Sequence, residues 1–226
     1  TRVRSSAASD VYKRQLLLKY MFLYNRDFAA QDNKMWYDLS DSYSIEGGDV
    51  LVLSKDIVAV GLSERTTVSG AETFARNLLQ NSDFKKVLAF DIPETRAFMH
   101  LDTVFTMVDY DKFTIHPGIM GPLTVFEITA AGEGIKVKEV NGTLESILET
   151  YVGHPVELIP CGGGDRIAAE REQWNDGSNT LCVRPGTVVV YQRNNVTNDV
   201  LYKNGINCLV MPSAELSRGR GGPRCM

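Results

Sequence analysis

The sequence predicts an α/β fold in which one small repeat recurs around an axis. Strand and helix signals alternate along the 226 residues, as short apolar runs and as apolar residues at helical spacing. The order hairpin, helix, strand recurs with a period of about 55 to 75 residues, which is typical of radial or solenoid-like repetition. Because no Pro-, Gly- or Ser-rich linker divides the chain, we expect one domain or part of one.

The first repeat begins with the apolar runs Val50–Leu53 and Ile57–Val60, which a short polar turn joins into a predicted hairpin. A helix is expected to begin at Ser69–Glu72, where apolar residues start to recur at helical spacing. Val87–Ile92 is predicted to be the strand that completes this repeat.

The second repeat begins with a predicted hairpin of Val104–Val108 and Phe113–Ile115. Its helix is expected to run from Thr143, a favoured N-cap residue, to Gly153, a favoured terminator. Val156–Ile159 is predicted to be its last strand.

The third repeat begins with Thr180–Val183 and Thr187–Tyr191, a predicted hairpin across an Arg-Pro-Gly turn. Thr197–Lys203 is expected to form a short helix that an Asn-Gly pair ends. Cys208–Met211 is then predicted to be the final strand.

The composition excludes several classes of protein. Hydrophobic residues make up 43% of the chain, and no apolar run reaches the ~18 residues that a membrane helix needs. The net charge of −4 argues against a nucleic-acid surface. The four cysteines form neither a CxxC pair nor a disulfide scaffold. We therefore expect a cytoplasmic protein with free thiols and with neither nucleic acid nor membrane as a partner.

The first fifteen residues are expected to lie outside the native fold. They carry four basic residues and one acidic residue without apolar periodicity, and Ser5–Gln15 resembles translated sequencing-adapter read-through. The alternative is a natural basic tail. We therefore predict residues 1–15 to be a non-native tail and residues 16–226 to be the part that folds.

Polar clusters stand at the start of each predicted hairpin and after the last strand. They are Glu46–Asp49, His100–Thr103, Asn175–Asn179 and Arg218–Cys225. If the repeats surround an axis, these starts meet at one end and form one pocket. The alternative is that polar residues simply mark the loops before strands, an explanation that suits Asn175–Asn179 best.

His100 and Asp102 are expected to lie on a strand, where side chains two residues apart share a face and Leu101 points into the core. A histidine beside a carboxylate suits acid–base chemistry on a cationic substrate. A solvated strand face is the alternative. A metal site would need a third ligand from His116 or His154, and we predict none.

Cys225 follows a Gly-rich segment that contains Arg218, Arg220 and Arg224. Neighbouring cations lower the pKa of a thiol, so a reactive thiolate is predicted here. A flexible basic tail with an incidental cysteine is the alternative. The other three cysteines lie in or beside apolar strands and are expected in the core.

Seven segments together resemble bacterial arginine deiminases, in order and at the expected spacing. They are Ser44–Val50, Ser63–Thr66, Met99–Thr103, Asn175–Asn179, Arg184–Gly186, Tyr191–Asn194 and Arg218–Met226. The resemblance implies an α/β propeller of the pentein type, with five pseudo-symmetric ββαβ blades. It also implies hydrolysis of L-arginine with water to L-citrulline and ammonia, with no metal or organic cofactor.

The resemblance also assigns roles to individual residues. Cys225 resembles the nucleophile that forms an amidino-thioether intermediate, and His100 resembles the acid–base group. Asp102 resembles the carboxylate that grips the guanidinium with both oxygens. Glu46 resembles the acid that supports the histidine, and Arg65 a clamp on the substrate α-carboxylate.

Three further residues are implied less directly in substrate binding. Arg220 resembles a mobile arginine that gates the cysteine, Asp49 a partner for that arginine, and Gly219 a neighbouring contact. The family's second guanidinium-binding aspartate and its first blade have no counterpart here. We therefore expect residues 16–226 to be a partial catalytic domain and an incomplete ring, with little or no activity alone.

Other functions stay open at this point. Another guanidine-modifying hydrolase would act on agmatine or a methylated arginine, although Arg65 argues against agmatine, which has no α-carboxylate. A non-catalytic arginine-binding protein is the alternative from a different class. For the full-length protein we expect a homo-oligomer.

Overall fold

A computed structural model describes residues 16–29, 35–38, 41–95, 97–215 and 221–225. The chain divides into two compact units, residues 1–43 and residues 44–226. The first unit contains helix α1 over residues 16–24 and helix α2, Arg26–Ala29. In it, Lys19 forms an ion pair with Asp38. The predicted non-native tail lies outside the described residues.

The second unit begins with the first ββαβ repeat. Its elements are β1 (Val50–Val52), β2 (Ile57–Leu62), α3 (Val68–Asn81) and β3 (Lys86–Asp91). β1 pairs antiparallel with β2, and β2 pairs parallel with β3. Helix α3 begins where Thr67 accepts a hydrogen bond from the Gly70 amide, and it buries one apolar face.

The second repeat follows a short helix and contains an inserted hairpin. Its elements are α4 (Leu101–Val104), β4 (Phe105–Met107), β5 (Lys112–Ile115), β6 (Thr124–Ala131), β7 (Gly134–Val140), α5 (Leu144–Val152) and β8 (Glu157–Pro160). β4 pairs antiparallel and β8 pairs parallel with β5. The inserted pair β6–β7 joins β3 instead, so the first sheet has the order β1-β2-β3-β6-β7. No strand was expected from the sequence in this insertion.

The third repeat repeats the same pairing. Its elements are α6 (Arg166–Gln173), β9 (Leu181–Arg184), β10 (Thr187–Tyr191), α7 (Asn195–Lys203) and β11 (Asn207–Met211). β9 pairs antiparallel and β11 parallel with β10. Because each central strand has one antiparallel and one parallel neighbour, the predicted hairpin–helix–strand repeat is confirmed. A ring of five blades stays a prediction, since three sheets are described and no closed ring is found among the described residues.

The local signals that the sequence offered for α5 act as predicted. Thr143 accepts a hydrogen bond from the Ser146 amide at the helix start, and Gly153 ends the helix with φ of +85°. Between the sheets, the rings of Phe90, Phe105 and Phe113 stack in succession with centroids 6.0 and 5.0 Å apart. They join the β1–β3 sheet to the β4–β5 pair in one apolar core.

The predicted strand at His100–Asp102 is wrong, because these residues form the start of helix α4. His100 is its extended N-cap residue, and the Thr103 hydroxyl donates to the His100 carbonyl at 2.7 Å. Leu101 is fully buried, as expected, but so is Asp102.

Within the described residues, no helix is long and apolar enough to cross a membrane.

Candidate active site

Three polar segments meet at one pocket in the second unit. They are the turn Glu46–Asp49, the start of α4 and the loop 221–225. A cavity of about 390 Å³ lies between them, lined by Gly47, Gly48, His100, Asp102, Arg224 and Cys225. The structure therefore brings together side chains that are far apart in the sequence, as expected if the hairpin starts share one end.

His100 and Glu46 form a hydrogen-bonded ion pair at this pocket. The Nε2 atom of His100 donates to Oε2 of Glu46 at 2.6 Å. Gly48 allows this arrangement, because a Cβ there would lie 2.8 Å from the imidazole ring. The turn thus places its glycine against the histidine and its carboxylate on the ring nitrogen.

The hydrogen bond between His100 and Glu46 favours the charged form of each partner. The hydrogen bond from His100 lowers the pKa of Glu46, against the opposing effect of burial. Desolvation alone lowers the pKa of His100, but the hydrogen bond to Glu46 and the charges of Asp49 and Asp102 outweigh it and raise the pKa. The charged form of His100 is therefore favoured, and its Nδ1 atom is buried without a hydrogen-bond partner among the described residues.

Asp49 supports the site from below its surface. Its side chain is fully buried and accepts hydrogen bonds from the Ser63 and Thr66 hydroxyls at 2.8 and 2.6 Å and from the Leu101 amide at 2.8 Å. Burial raises its pKa despite these donors. Both oxygens accept hydrogen bonds from described residues, and the implied pairing of Asp49 with Arg220 stays a prediction because Arg220 lies outside the described residues.

Arg65 lies at the edge of the same group. Its Nη1 atom is 3.3 Å from Oε1 of Glu46, and its side chain is about half exposed. Glu46 therefore joins His100 and Arg65 in one charged chain. Arg65 keeps further guanidinium donors that this contact does not use.

Asp102 is already in contact with an arginine of the protein itself. The Arg224 guanidinium donates from Nη1 to Oδ2 of Asp102 at 2.6 Å and from Nη2 to the Val50 carbonyl at 2.9 Å. Oδ1 of Asp102 is buried without a hydrogen-bond partner among the described residues. Oδ2 already accepts a hydrogen bond from Arg224, so only Oδ1 lacks a hydrogen bond from the described part of the chain. The implied contact of both carboxylate oxygens with the substrate guanidinium therefore does not fit this arrangement.

The predicted thiolate at Cys225 is wrong for this state of the pocket. Desolvation and the negative charges of Asp102 and Asp176 raise the pKa of the thiol to about 11, and Arg224 lowers it by less. The sequence showed the three arginines near the cysteine but not the carboxylates that the fold brings to it. Arg218, Gly219 and Arg220, and with them the proposed gating arginine, lie outside the described residues.

Two residues that the sequence analysis did not single out hold the loop of Cys225. The Tyr191 hydroxyl donates to the Gly221 carbonyl at 2.7 Å. Asn179 accepts from the Arg224 amide at 3.0 Å and donates to the Asp102 carbonyl at 3.2 Å. The available signal for Asn179 was its place at the start of the third hairpin, beside the other converging clusters.

Solved structures share the α/β fold of this chain. The arginine dihydrolase ArgZ from the cyanobacterial ornithine–ammonia cycle matches with a TM-score of 0.57 and 16% identity over 84% of this chain and 24% of that chain. Its N-terminal domain, covalently bound to a reaction intermediate, matches with a TM-score of 0.54 and 18% identity over 84% and 57%. At these identities the likeness shows the fold alone.

The chain belongs to the arginine deiminase family, because the family model described as arginine deiminase matches residues 7–226. The arginine deiminase of Treponema denticola is 58% identical over 214 residues, which are 92% of this chain and 52% of that protein. The enzyme of Clostridium perfringens is 56% identical over 225 residues, 96% and 54%. The chain thus spans about half the length of the curated relatives it matches.

Proposed function

We propose that the protein hydrolyses L-arginine to L-citrulline and ammonia, with Cys225 as the nucleophile and His100 as the acid–base group. The observation that carries the proposal is the pocket itself, which is lined by the Cys225 thiol, the His100 imidazole and the Asp102 carboxylate. Membership of the arginine deiminase family supports arginine as the substrate.

The reaction balances with groups of this pocket and water. When the substrate binds, the Cys225 thiol releases its proton to solvent and its sulfur bonds to the guanidinium carbon, and one nitrogen then leaves as ammonia with a proton from His100. The neutral imidazole then takes a proton from water, whose oxygen bonds to the amidino carbon. The carbon–sulfur bond breaks, the proton of the new hydroxyl group passes to the Cys225 sulfur and restores the thiol, and the ureido group of citrulline remains.

The elevated pKa of His100 supports its part in these steps. The hydrogen bond to Glu46 favours the protonated form, which can give a proton to the departing nitrogen. Once that proton is lost, the same Glu46 hydrogen bond stabilises the imidazolium that forms when water is deprotonated. Glu46 thus acts through His100 in both halves of the reaction.

Binding of the substrate and activation of the thiol are proposed to be one event. A guanidinium that donates to Oδ1 of Asp102 brings a positive charge beside Cys225 and offsets the carboxylates that keep the thiol protonated. Arg65 is proposed to hold the α-carboxylate of arginine. Arg220 and Gly219 stay proposals for the same binding site, on residues outside the described part of the chain.

The proposal is tested by alkylating the purified chain and locating the modified cysteine by mass spectrometry. We expect 2-chloroacetamidine, a planar cation, to modify Cys225 faster than neutral iodoacetamide does, and L-arginine to protect it. Citrulline formation that disappears in Cys225→Ala would add direct support. Equal rates for both reagents, with no protection by arginine and no citrulline, would contradict the proposal.

For the whole protein we further propose a cytoplasmic homo-oligomer, as expected from the composition and the resemblance. Light scattering after size-exclusion chromatography of the full-length protein tests the oligomeric state. A monomeric mass at micromolar concentration would contradict this part.

A further inference from the structure

We infer that Asn179 is a positioning residue that fixes Cys225 relative to Asp102. The inference rests on the proposed function, because it concerns how the nucleophile and the guanidinium-binding carboxylate are kept in register. It assigns a role to a residue that lies in neither catalytic segment and contacts both.

The side-chain amide of Asn179 is used at both ends. Its Nδ2 donates to the backbone carbonyl of Asp102 at 3.2 Å, and its Oδ1 accepts from the backbone N–H of Arg224 at 3.0 Å. The carbonyl needs a donor and the N–H needs an acceptor, so these partners define the orientation of the amide. Asn179 is fully buried, and water therefore does not compete for these bonds.

The loop of Cys225 is shaped to fit this contact. A Cβ on Gly222 would collide with Cβ, Cγ and Oδ1 of Asn179, so the loop approaches the amide closely because residue 222 is glycine. The Cys225 amide closes the loop by donating to the Gly222 carbonyl at 3.0 Å. Displacement of the loop from Asn179 would thus move the segment that carries the thiol.

An amide suits this position better than other small side chains. Aspartate keeps an acceptor for the Arg224 amide but has no donor for the Asp102 carbonyl, and it adds a charge near the Asp102 carboxylate. Alanine leaves both backbone groups without their partner. Either change is expected to break the link that Asn179 makes between the loop of Cys225 and the backbone of Asp102, without altering any of the proposed catalytic side chains.

The test uses Asn179→Ala and Asn179→Asp in the full chain, with Asn175→Ala as the matched control. Asn175 lies in the same segment, but its side chain donates to the Arg171 carbonyl and not to the loop. The readout is the ratio of the alkylation rates of Cys225 by 2-chloroacetamidine and by iodoacetamide. Buried Cys161 reports unfolding in the same digest.

We expect both Asn179 variants to lose about 10- to 100-fold in this ratio, as a misplaced reactive group does, while Asn175→Ala keeps the parental ratio. If Asn179→Ala exposes Cys161, Asn179→Asp and Gly222→Ala replace it as the deciding variants. Parental ratios in the folded Asn179 variants would overturn the inference.

The same measurements distinguish a failure of the proposed function from a failure of the inference about Asn179. In that case the parental chain shows no preference for the cationic reagent and no protection by arginine. The rate with iodoacetamide alone then decides the inference, because release of the loop should raise it about tenfold in the Asn179 variants and not in Asn175→Ala. Unchanged rates in all variants would overturn it.

Discussion

The turn Glu46–Asp49 and the loop 221–225 both contact helix α4, but they leave its polar groups in different states. On the side of the turn, Asp49 is buried and accepts three hydrogen bonds. On the side of the loop, Oδ1 of Asp102 has no partner among the described residues, and the nearby thiol is protonated. Satisfied groups hold the site, whereas the open groups are those that a substrate could use.

The largest expected effect is the loss of stability when Asp49, in the turn Glu46–Asp49, is replaced. Asp49→Ala should lower the free energy of unfolding by about 3–5 kcal/mol, because it leaves the buried Thr66 hydroxyl, the buried Leu101 amide and the half-buried Ser63 hydroxyl without an acceptor. Urea denaturation followed by circular dichroism measures this loss. Exposed Asp91 offers the control, since Asp91→Ala should change stability by less than about 0.5 kcal/mol. Equal midpoints for the two variants would remove the contrast.

On the side of the loop, two neighbouring glycines should differ. Gly222→Ala forces a Cβ into Asn179 and should cost about 1–3 kcal/mol, together with a changed alkylation rate at Cys225. Gly221→Ala meets only the Cβ of Cys225, at an ordinary 3.5 Å, and should cost less. Thermal unfolding of the two variants in parallel checks this order, and the reverse order would show that the loop is not held by Asn179.

The raised pKa of the Cys225 thiol predicts a shifted pH dependence of its alkylation. Cys225 is exposed, but partial desolvation and the nearby carboxylates raise its pKa to about 11, so its alkylation by iodoacetamide should increase with pH well above the usual midpoint of about 8.5. L-arginine analogues that bind without reacting should move this midpoint down, since a cation stabilises the thiolate. N-acetylcysteine serves as the reference thiol. A midpoint for Cys225 equal to that of the reference would refute the assigned environment.

The smallest effect is expected at the rim of the site. Arg65→Ala removes a half-exposed ion pair with Glu46, so stability should change by less than about 1 kcal/mol. Protection of Cys225 by L-arginine should weaken, whereas protection by agmatine should not, because agmatine has no α-carboxylate. Competition curves for both ligands measure the difference. Equal weakening for the two would argue against a carboxylate contact by Arg65.

Much of the fold followed from local signals. The hairpins, the helix start at Thr143 and the glycine stop at Gly153 depend on residues close together in the chain, which is why the sequence predicted them. The strand at His100–Asp102 failed for the same reason. Its three residues fit either a strand or a helix start, and hydrogen bonding to Asp49, 52 residues away, accompanies the helical start that the fold adopts.

The site could be predicted as a set of residue types but not as a set of contacts. Glu46, His100, Asp102 and Cys225 stood out because thiols, imidazoles and carboxylates are reactive groups. The sequence did not indicate that Arg224 pairs with Asp102, 122 residues away, or that Asn179 lies between them. Nor did it indicate the direction of the thiol pKa, because the arginines were visible as neighbours and the carboxylates were not.

By itself, the sequence determined the repeat, its caps and the chemical groups at one end of the molecule. These depend on periodicity and on side-chain chemistry, which act over a few residues. Only the tertiary structure decided which oxygen of Asp102 lacks a hydrogen-bond partner among the described residues, which carboxylate is buried and which protonation state of Cys225 is favoured. Those properties depend on desolvation and on charges from distant segments, and both exist only once the chain has folded.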